Sequence, residues 1–464
     1  VAASLGFSAA QLATWRALPL VPLPRGAVIV QGVARSVEAL PAGGRRVTVT
    51  GAQLAPGAPP LARMVRVRLR DTDPAVIVAG DRIAVRALVR APSGPAWPGG
   101  WDLQRSAFFA GYAGYGFAIG PARVLAHARP HGLAAWWQAL RDHIARRMIA
   151  GLPGPDGAIA ATLMTGTPTA IPEADRAAFR NSGLAHLLAV AGLHMGIVMG
   201  LAMGLARLLL ACSEHATLHW PCKQIAAIAA LAVGGFCVAL TGMHVPIERS
   251  FAMASLVVLG LLLGRRVLSL RGLAVAATAL LLLSPVEVVG VSFQMSFAAV
   301  LALISGYEAM RPWLRRLRGA GGFGPWLRTH LATLALTSLL AGTAALPFAA
   351  YDFGRVQLYY VVANMVAVPI TAALVMPAGL ERLALVPMGW GIEAVLWVGR
   401  GVAAWPAAVL AVPHIPLWGV CVASAGIAWL GLWRSRMRLA GLLPLAIGLA
   451  SPAVAPPPDI LVSD

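Results

Sequence analysis

Two histidines, His186 and His194, lie in an apolar run at 183–194 whose other members are Gly, Ala, Leu and Val. An ionisable ring in hydrocarbon is costly unless it faces a cavity or a partner. Two readings stand side by side: imidazoles satisfied by interhelical hydrogen bonds, or groups lining a polar path. Ala191, Gly192 and Gly196 are small enough to let a neighbouring helix or a substrate approach the backbone. Gln294, Ser296 and Asn364 are isolated polar groups in apolar stretches, and the same two readings apply to them.

A second set is basic. Arg66, Arg68 and Arg70 alternate with Val65, Val67 and Leu69. In a strand, that period puts the apolar set on a core and three guanidiniums on one outer face. An arginine fork binds two phosphate oxygens at once, so the row suits a nucleic-acid backbone, as in OB-folds that hold single strands. A half-buried strand with a solvated face has the same pattern, and few well-placed aromatics accompany this row. Cys212, His215, His219 and Cys222 approach metal-ligand spacing, but they fall in a short connection between apolar runs, and the reading adopted is an interhelical loop with no metal. Thr165, Asn181 and Ser182 lack the Gly-x-Ser-x-Gly setting of a nucleophile. No Gly-x4-Gly-Lys-Ser/Thr loop occurs either. The expectation is a protein that is not an enzyme and holds no cofactor.

The elements that carry these residues are of two kinds. Hydrophobic residues make up 58% of the 464, charged residues 12%, and mean hydropathy is +0.74. Apolar runs near the ~20 residues needed to cross hydrocarbon recur after residue 183, and backbone in lipid must satisfy itself by forming helices. Candidate spans are 184–210, 223–241, 245–263, 270–284, 289–306, 330–350, 356–378, 390–412, 416–433 and 439–451. Before them, 24–127 has period-2 patterning, with candidate strands at 28–37, 46–54, 63–70, 82–89 and 117–125, and a Gly- and aromatic-rich loop at 92–116. The fold class expected is a polytopic α-helical membrane protein of about 8–10 spans behind a soluble, OB-like β-barrel domain. Residues 128–182 read as amphipathic interfacial helices, with Trp136 and Trp137 beside Arg141, Arg146 and Arg147. Glu248 and Arg249 are expected at the outer end of their span, in a partly desolvated ion pair.

Net charge is +19, from 37 basic and 18 acidic residues, and Lys223 is the only lysine. Charge alone permits nucleic acid or anionic lipid. Basic loops at Arg265/Arg266/Arg271, Arg311 to Arg318 and Arg434 to Arg438 are separated by even numbers of candidate spans. All three can therefore be cytoplasmic, which puts the barrel on the extracytoplasmic side. The chain reads as a fragment: 1–23 as the remnant of an apolar segment and 452–464 as a linker to a further domain.

The stretch 183–194 closely resembles the central motif of the ComEC-type competence family, inner-membrane channels for DNA uptake in transformation. Further segments resemble the same family in the same order. They are Pro98-Gly99-Gly100-Trp101-Asp102, Leu163-Met164-Thr165-Gly166, Ile171-Pro172, Ala239-Leu240-Thr241-Gly242, Gly264-Arg265-Arg266, Phe293-Gln294-Met295-Ser296-Phe297, Phe353-Gly354-Arg355 and Ala363-Asn364-Met365-Val366-Ala367-Val368-Pro369. The chain departs from the pattern at Ala191, where serine is expected, so any role for that hydroxyl is absent or moved. It also has no His-x-His-x-Asp-His run, the mark of the metallo-β-lactamase-like domain into which family members often continue. The resemblance implies a channel for single-stranded DNA in the bacterial inner membrane. His186, Gly192, His194, Gln294, Ser296 and Asn364 would lie along the path, and Arg66, Arg68 and Arg70 would take the DNA backbone. A cytoplasmic helicase-like ATPase and an outer DNA receptor are the partners implied, with homo-oligomerisation left open. Two rival classes remain: a small-molecule or lipid transporter with an accessory β-domain, and an intramembrane hydrolase built on His186 or His194.

Overall fold

A computed structural model describes residues 2–454, except 41–42, 56, 96–101, 128–132, 167–170, 190–191, 242–244, 263–268, 320–321 and 378–384. Ala191, Pro98 to Trp101, Gly242 and Gly264-Arg265-Arg266 thus lie outside the described residues, as does most of 452–464. The chain divides into two compact units, one built mainly on Val1–His143 and the other on Ile144–Gly166 with Ala174–Asp459.

The first unit opens with α1 (Ala2–Arg16) and continues into β1 (Ala27–Ala39), β2 (Arg45–Gln53), β3 (Met64–Leu69) and β4 (Arg82–Arg90). Next come α2 (Leu103–Ala110), β5 (Tyr112–Ala118) and β6 (Arg123–Ala126). Alternation builds the core: Val47 and Val49, Val65, Val67 and Leu69, and Ile83, Val85 and Val89 point inward and are buried. The strands follow the order β1-β2-β3-β5-β4, and β1 returns to pair with β4. That closes an OB-like barrel, to which β6 is added along β4. The β3–β5 pair is parallel and the others are antiparallel.

The candidate strand at 117–125 is in fact two strands, β5 and β6, and β5 begins inside the expected loop. A Cβ on Gly114 would lie 2.5 Å from the Arg90 carbonyl oxygen, and one on Gly116 would lie 2.8 Å from that of Leu88. The glycines that imitate a loop are strand residues where the backbone of β4 comes too close for a side chain.

The second unit is helical. After α3 (Leu133–Gly151) come α4 (Pro155–Thr165), α5 (Glu173–Asn181), α6 (Ala185–Leu188), α7 (Gly192–Ala211), α8 (Glu214–His219), α9 (Cys222–Thr241) and α10 (Val245–Leu262). Then follow α11 (Leu270–Leu283), α12 (Val291–Arg318), α13 (Phe323–Phe353), β7 (Arg355–Gln357), α14 (Tyr360–Ile370), α15 (Leu385–Ala403), β8 (Val409–Ala411), α16 (Leu417–Leu432) and α17 (Leu442–Ala450). Among the described residues, α7, α9, α12 and α13 are long and apolar enough to cross a membrane. Shorter apolar helices are α11, α16 and α14 with its π-helical continuation, Thr371–Val375. The protein is a helical membrane body with an OB-like barrel.

Several candidate spans change on folding. The first residues of 356–378 and those at 409–411, near the end of 390–412, belong to strands, β7 and β8, which pair antiparallel. The run 439–451 holds a 3-10 turn at Arg436–Gly441 and the nine-residue α17, too short to cross hydrocarbon at ~1.5 Å per residue. The run 184–210 is two helices: Ala189 leaves the helical region with φ −81° and ψ 116°. Leu187, Leu188 and Ala189 are all apolar, so hydropathy does not mark the break. Helix α4 is buried within its unit at Ile159, Ala160, Ala161 and Leu163. Small residues set the close contacts: a Cβ on Gly342 would overlap the Tyr360 ring, and Gly448 packs on the Gly419 carbonyl.

Candidate functional site

The barrel and the helical unit each carry polar groups that the fold does not need for its core. On the barrel, β3 places Arg66, Arg68 and the residue after its end, Arg70, on the outer side. Arg68 and Arg70 are exposed and Arg66 is half-buried. Register supplies what the linear sequence hides. Arg66 stands opposite Thr48 on β2 and Tyr115 on β5, and Arg68 opposite Arg46 and Phe117. On β4, Leu88 and Arg90 stand beside Phe117 and Tyr115. The guanidinium of Arg66 lies 4.5 Å from the Tyr112 ring centre and donates to the Tyr112 hydroxyl. The Tyr112 and Tyr115 rings are 5.7 Å apart, and Phe117 is 53% exposed. The face therefore interleaves arginines with three aromatic rings, which corrects the expectation of few aromatics. Tyr112 and Tyr115 fall in the Gly-rich stretch read as a loop and Phe117 at the first position of the candidate strand 117–125, and only the parallel β3–β5 pairing brings them to the row. Partial burial raises the Tyr115 hydroxyl above its ordinary value, against the pull of Arg66 and Arg46.

Another arginine of this unit is wholly internal. Arg63 is 0% exposed, stacks 4.8 Å from the Phe108 ring centre, and donates to four backbone carbonyls. Its Nε reaches Leu18 and Pro19 at 3.0 and 2.8 Å, and its Nη1 reaches Phe108 and Tyr112 at 3.1 and 3.2 Å. Burial lowers its pKa.

In the helical unit, the break after α6 puts His186 and His194 on different helices, which corrects the single helix expected. The His186 Nδ1 donates to the Gly183 carbonyl at 3.0 Å. Gly183 holds the turn with φ +81°, and a Cβ there would meet the Tyr360 Cβ at 2.6 Å, so the position requires glycine. His194 is 2% exposed, and neither ring nitrogen has a hydrogen-bond partner among the described residues. The Asn364 Oδ1 on α14 and the Asp352 Oδ2 on α13 are likewise buried without partners among the described residues. Gln294 donates to the Val288 carbonyl at 3.0 Å. Ser296 is half-buried on α12. No hydrogen bond joins any two of His186, His194, Gln294, Ser296 and Asn364 among the described residues. Gly192 and Gly196 are not crowded: a Cβ on Gly192 would meet the Ser250 Oγ at 3.8 Å, and one on Gly196 would meet nothing within 4 Å.

Two ion pairs join different helical segments of this unit. Arg249 on α10 is 8% exposed, bonds Glu287 at 3.1 Å and donates to the Ser292 hydroxyl. Its carboxylate lies 38 residues away, not at the adjacent Glu248. Arg400 on α15 grips Asp175 on α5 at 2.6 and 2.8 Å. At the α7–α9 connection the cysteines bond backbone: Cys212 Sγ donates to the Leu208 carbonyl and Cys222 Sγ to that of Ala216. The His215 and His219 rings stack 4.6 Å apart, and no metal-ligating cluster occurs among the described residues.

Residues 163–437 match the family model described as "Competence protein", more than half of the chain. The chain belongs to the competence protein family. Over 271 residues it is 25% identical to "ComE operon protein 3" of Bacillus subtilis, covering 56% of this chain and 32% of that protein. It is 31% identical over 278 residues to "Competence protein ComA" of Neisseria gonorrhoeae, covering 56% and 37%. It is 28% identical over 313 residues to "Uncharacterized protein YcaI" of Escherichia coli, covering 66% and 38%. The matched part thus spans about a third of each relative. No solved structure matches. Within this competence-family chain, the matched region takes in His186, Gly192, His194, Gln294, Ser296 and Asn364 and stops short of the barrel.

Proposed function

We propose that this chain forms the path by which single-stranded DNA crosses the bacterial inner membrane during natural transformation, with its barrel on the extracytoplasmic side. The arginine–aromatic face of the barrel carries the reading. Arg66 and Arg68, two residues apart on the outer face of β3, can meet phosphates, and Tyr112, Tyr115 and Phe117 offer ring faces for unpaired bases; guanidinium plus stacking is how single strands are held without sequence preference. Family membership supports the same role. The basic ends at Arg311 to Arg318 and Arg434 to Arg438 suit the cytoplasmic side, leaving the barrel where incoming DNA is met. In the helical body, the unpartnered His194, Asn364 and Asp352 are groups that water or a passing polar substrate would satisfy. Such contacts must be weak and numerous if a polyanion is to move. The motor would be a separate helicase-like ATPase in the cytoplasm, and an outer receptor would deliver the strand.

The test is binding of a fluorescent oligothymidylate to the full chain in nanodiscs, measured across salt. The wild type should bind with a marked salt slope. Arg66→Ala combined with Arg68→Ala should lower the slope by about 1.4, since each phosphate contact on a single strand contributes about 0.7. No binding at low salt, or an unchanged slope in the double variant, removes this role from the barrel.

A further inference from the structure

The C-terminal end of α12 carries positive charge, with Arg315, Arg316 and Arg318 in its last turn. Ile304, Glu308, Arg311, Leu314, Arg315 and Arg318 recur at three- and four-residue spacing and so share one stripe of the helix. With Ser269 and Leu270 at the start of α11, and Arg434 after α16, they line a cavity of about 730 Å³. Its single carboxylate, Glu308, is matched by Arg434 at 3.1 Å. Arg311, Arg315 and Arg318 have no ion-pair partner among the described residues. Three like charges over two helical turns repel one another. The negative pole of the helix end offsets only part of that, so an anion is the natural complement.

The surroundings define the anion. Arg318 also borders a second cavity, about 650 Å³, lined by Phe323, Trp326 and His330 at the start of α13. The Trp326 and His330 rings stack at 5.3 Å and 10°, and Trp326 is 57% exposed. Exposed tryptophan at the end of an apolar helix marks the depth of lipid headgroups. Down the helix from Arg311 the wall passes Glu308 and Tyr307 and turns apolar at Ile304, ~10 Å away, and Leu314 and Leu270 add apolar surface beside the arginines. The neighbouring α11 presents Val275 and Leu283 outward, 61% and 83% exposed. A charged mouth above an apolar wall fits a molecule with a phosphate at one end and acyl chains at the other. We propose that the cavity between α11, α12 and the α16–α17 connection binds the phosphate headgroup of an anionic phospholipid. Basic pockets between membrane helices recognise such headgroups in this way. The site is separate from the barrel face and does not depend on DNA transport.

The experiment purifies the full chain in detergent and titrates it with phosphatidylglycerol or phosphatidylcholine, reading bound lipid by native mass spectrometry. Phosphatidylglycerol should be retained and phosphatidylcholine should not. Replacing Arg311, Arg315 and Arg318 together by Gln should weaken phosphatidylglycerol binding by on the order of a hundredfold. Glu308→Gln, which keeps every arginine and frees Arg434, should strengthen it several-fold. The Glu308→Gln measurement decides the matter if the triple variant fails to accumulate. Equal retention of the two lipids, no gain in Glu308→Gln, or displacement of phosphatidylglycerol by a single-stranded oligonucleotide at equal concentration would overturn the assignment. The last result would give the cavity to nucleic acid.

Discussion

The arginines of the barrel face and the buried Arg249 of the helical unit face opposite electrostatic problems. On the barrel, Arg66 and Arg68 stand on an open face, among rings rather than carboxylates. Within the helices, the buried Arg249 is bound to Glu287, and the buried Asp175 is met by Arg400, which is itself exposed. In water a guanidinium can stand without a partner and wait for a phosphate. In a low-dielectric interior it must be paired, and its charge is then unavailable to a ligand. Composition alone treats all these residues as one basic excess, yet only the unpaired ones can serve a polyanion.

That contrast can be broken at either end. The largest effect is expected for Arg249→Leu, which leaves Glu287 partly buried and unpaired. It should cost about 3–5 kcal/mol, read as a fall in the melting temperature of the detergent-solubilised protein. Pairing it with Glu287→Leu should restore most of the loss, and a fully additive double variant would mean the two charges are independent. On the barrel, Tyr115→Ala or Phe117→Ala should weaken oligonucleotide binding by about 1–3 kcal/mol each without changing the salt slope. A loss confined to the slope would mean the rings do not stack on bases. The smallest effect on stability is expected at His194. Because neither ring nitrogen is bonded among the described residues, His194→Leu should change stability by less than about 1 kcal/mol. Transformation by the full-length gene, however, should fall more than about tenfold. A stable variant that transforms normally would return this histidine to the scaffold.

The parts that were legible follow from local periodicity. Alternation in 64–69 and 82–90 marks both the strands and their inward residues, and the long apolar runs announce α7, α9, α12 and α13. Long-range pairing was not legible. Tyr112, Tyr115 and Phe117 join Arg66 and Arg68 only because two strands more than forty residues apart run parallel. Arg249 finds its carboxylate on a 3-10 turn, and spacing gives no hint of that. The break between His186 and His194 is not marked by hydropathy, since the residues across it are all apolar or glycine. Glycine misled in both directions: Gly114 and Gly116 look like loop and are strand, whereas Gly192 looks like a packing surface and is uncrowded.

Arg63 has a consequence for the order in which the barrel is completed. Its four acceptors come from residues 18 and 19 on one side of it in sequence and from 108 and 112 on the other. During synthesis, which runs from the N-terminus, strands β1 to β4 are available before α2 and β5 exist. Until residue 112 has emerged, the buried guanidinium lacks half of its ligands and must keep water instead. Closure of the barrel is therefore tied to the arrival of the segment that also brings Tyr112 and Tyr115. The nascent domain acquires its stacking rings and its sealed interior in the same event, so a half-made barrel offers a single strand neither.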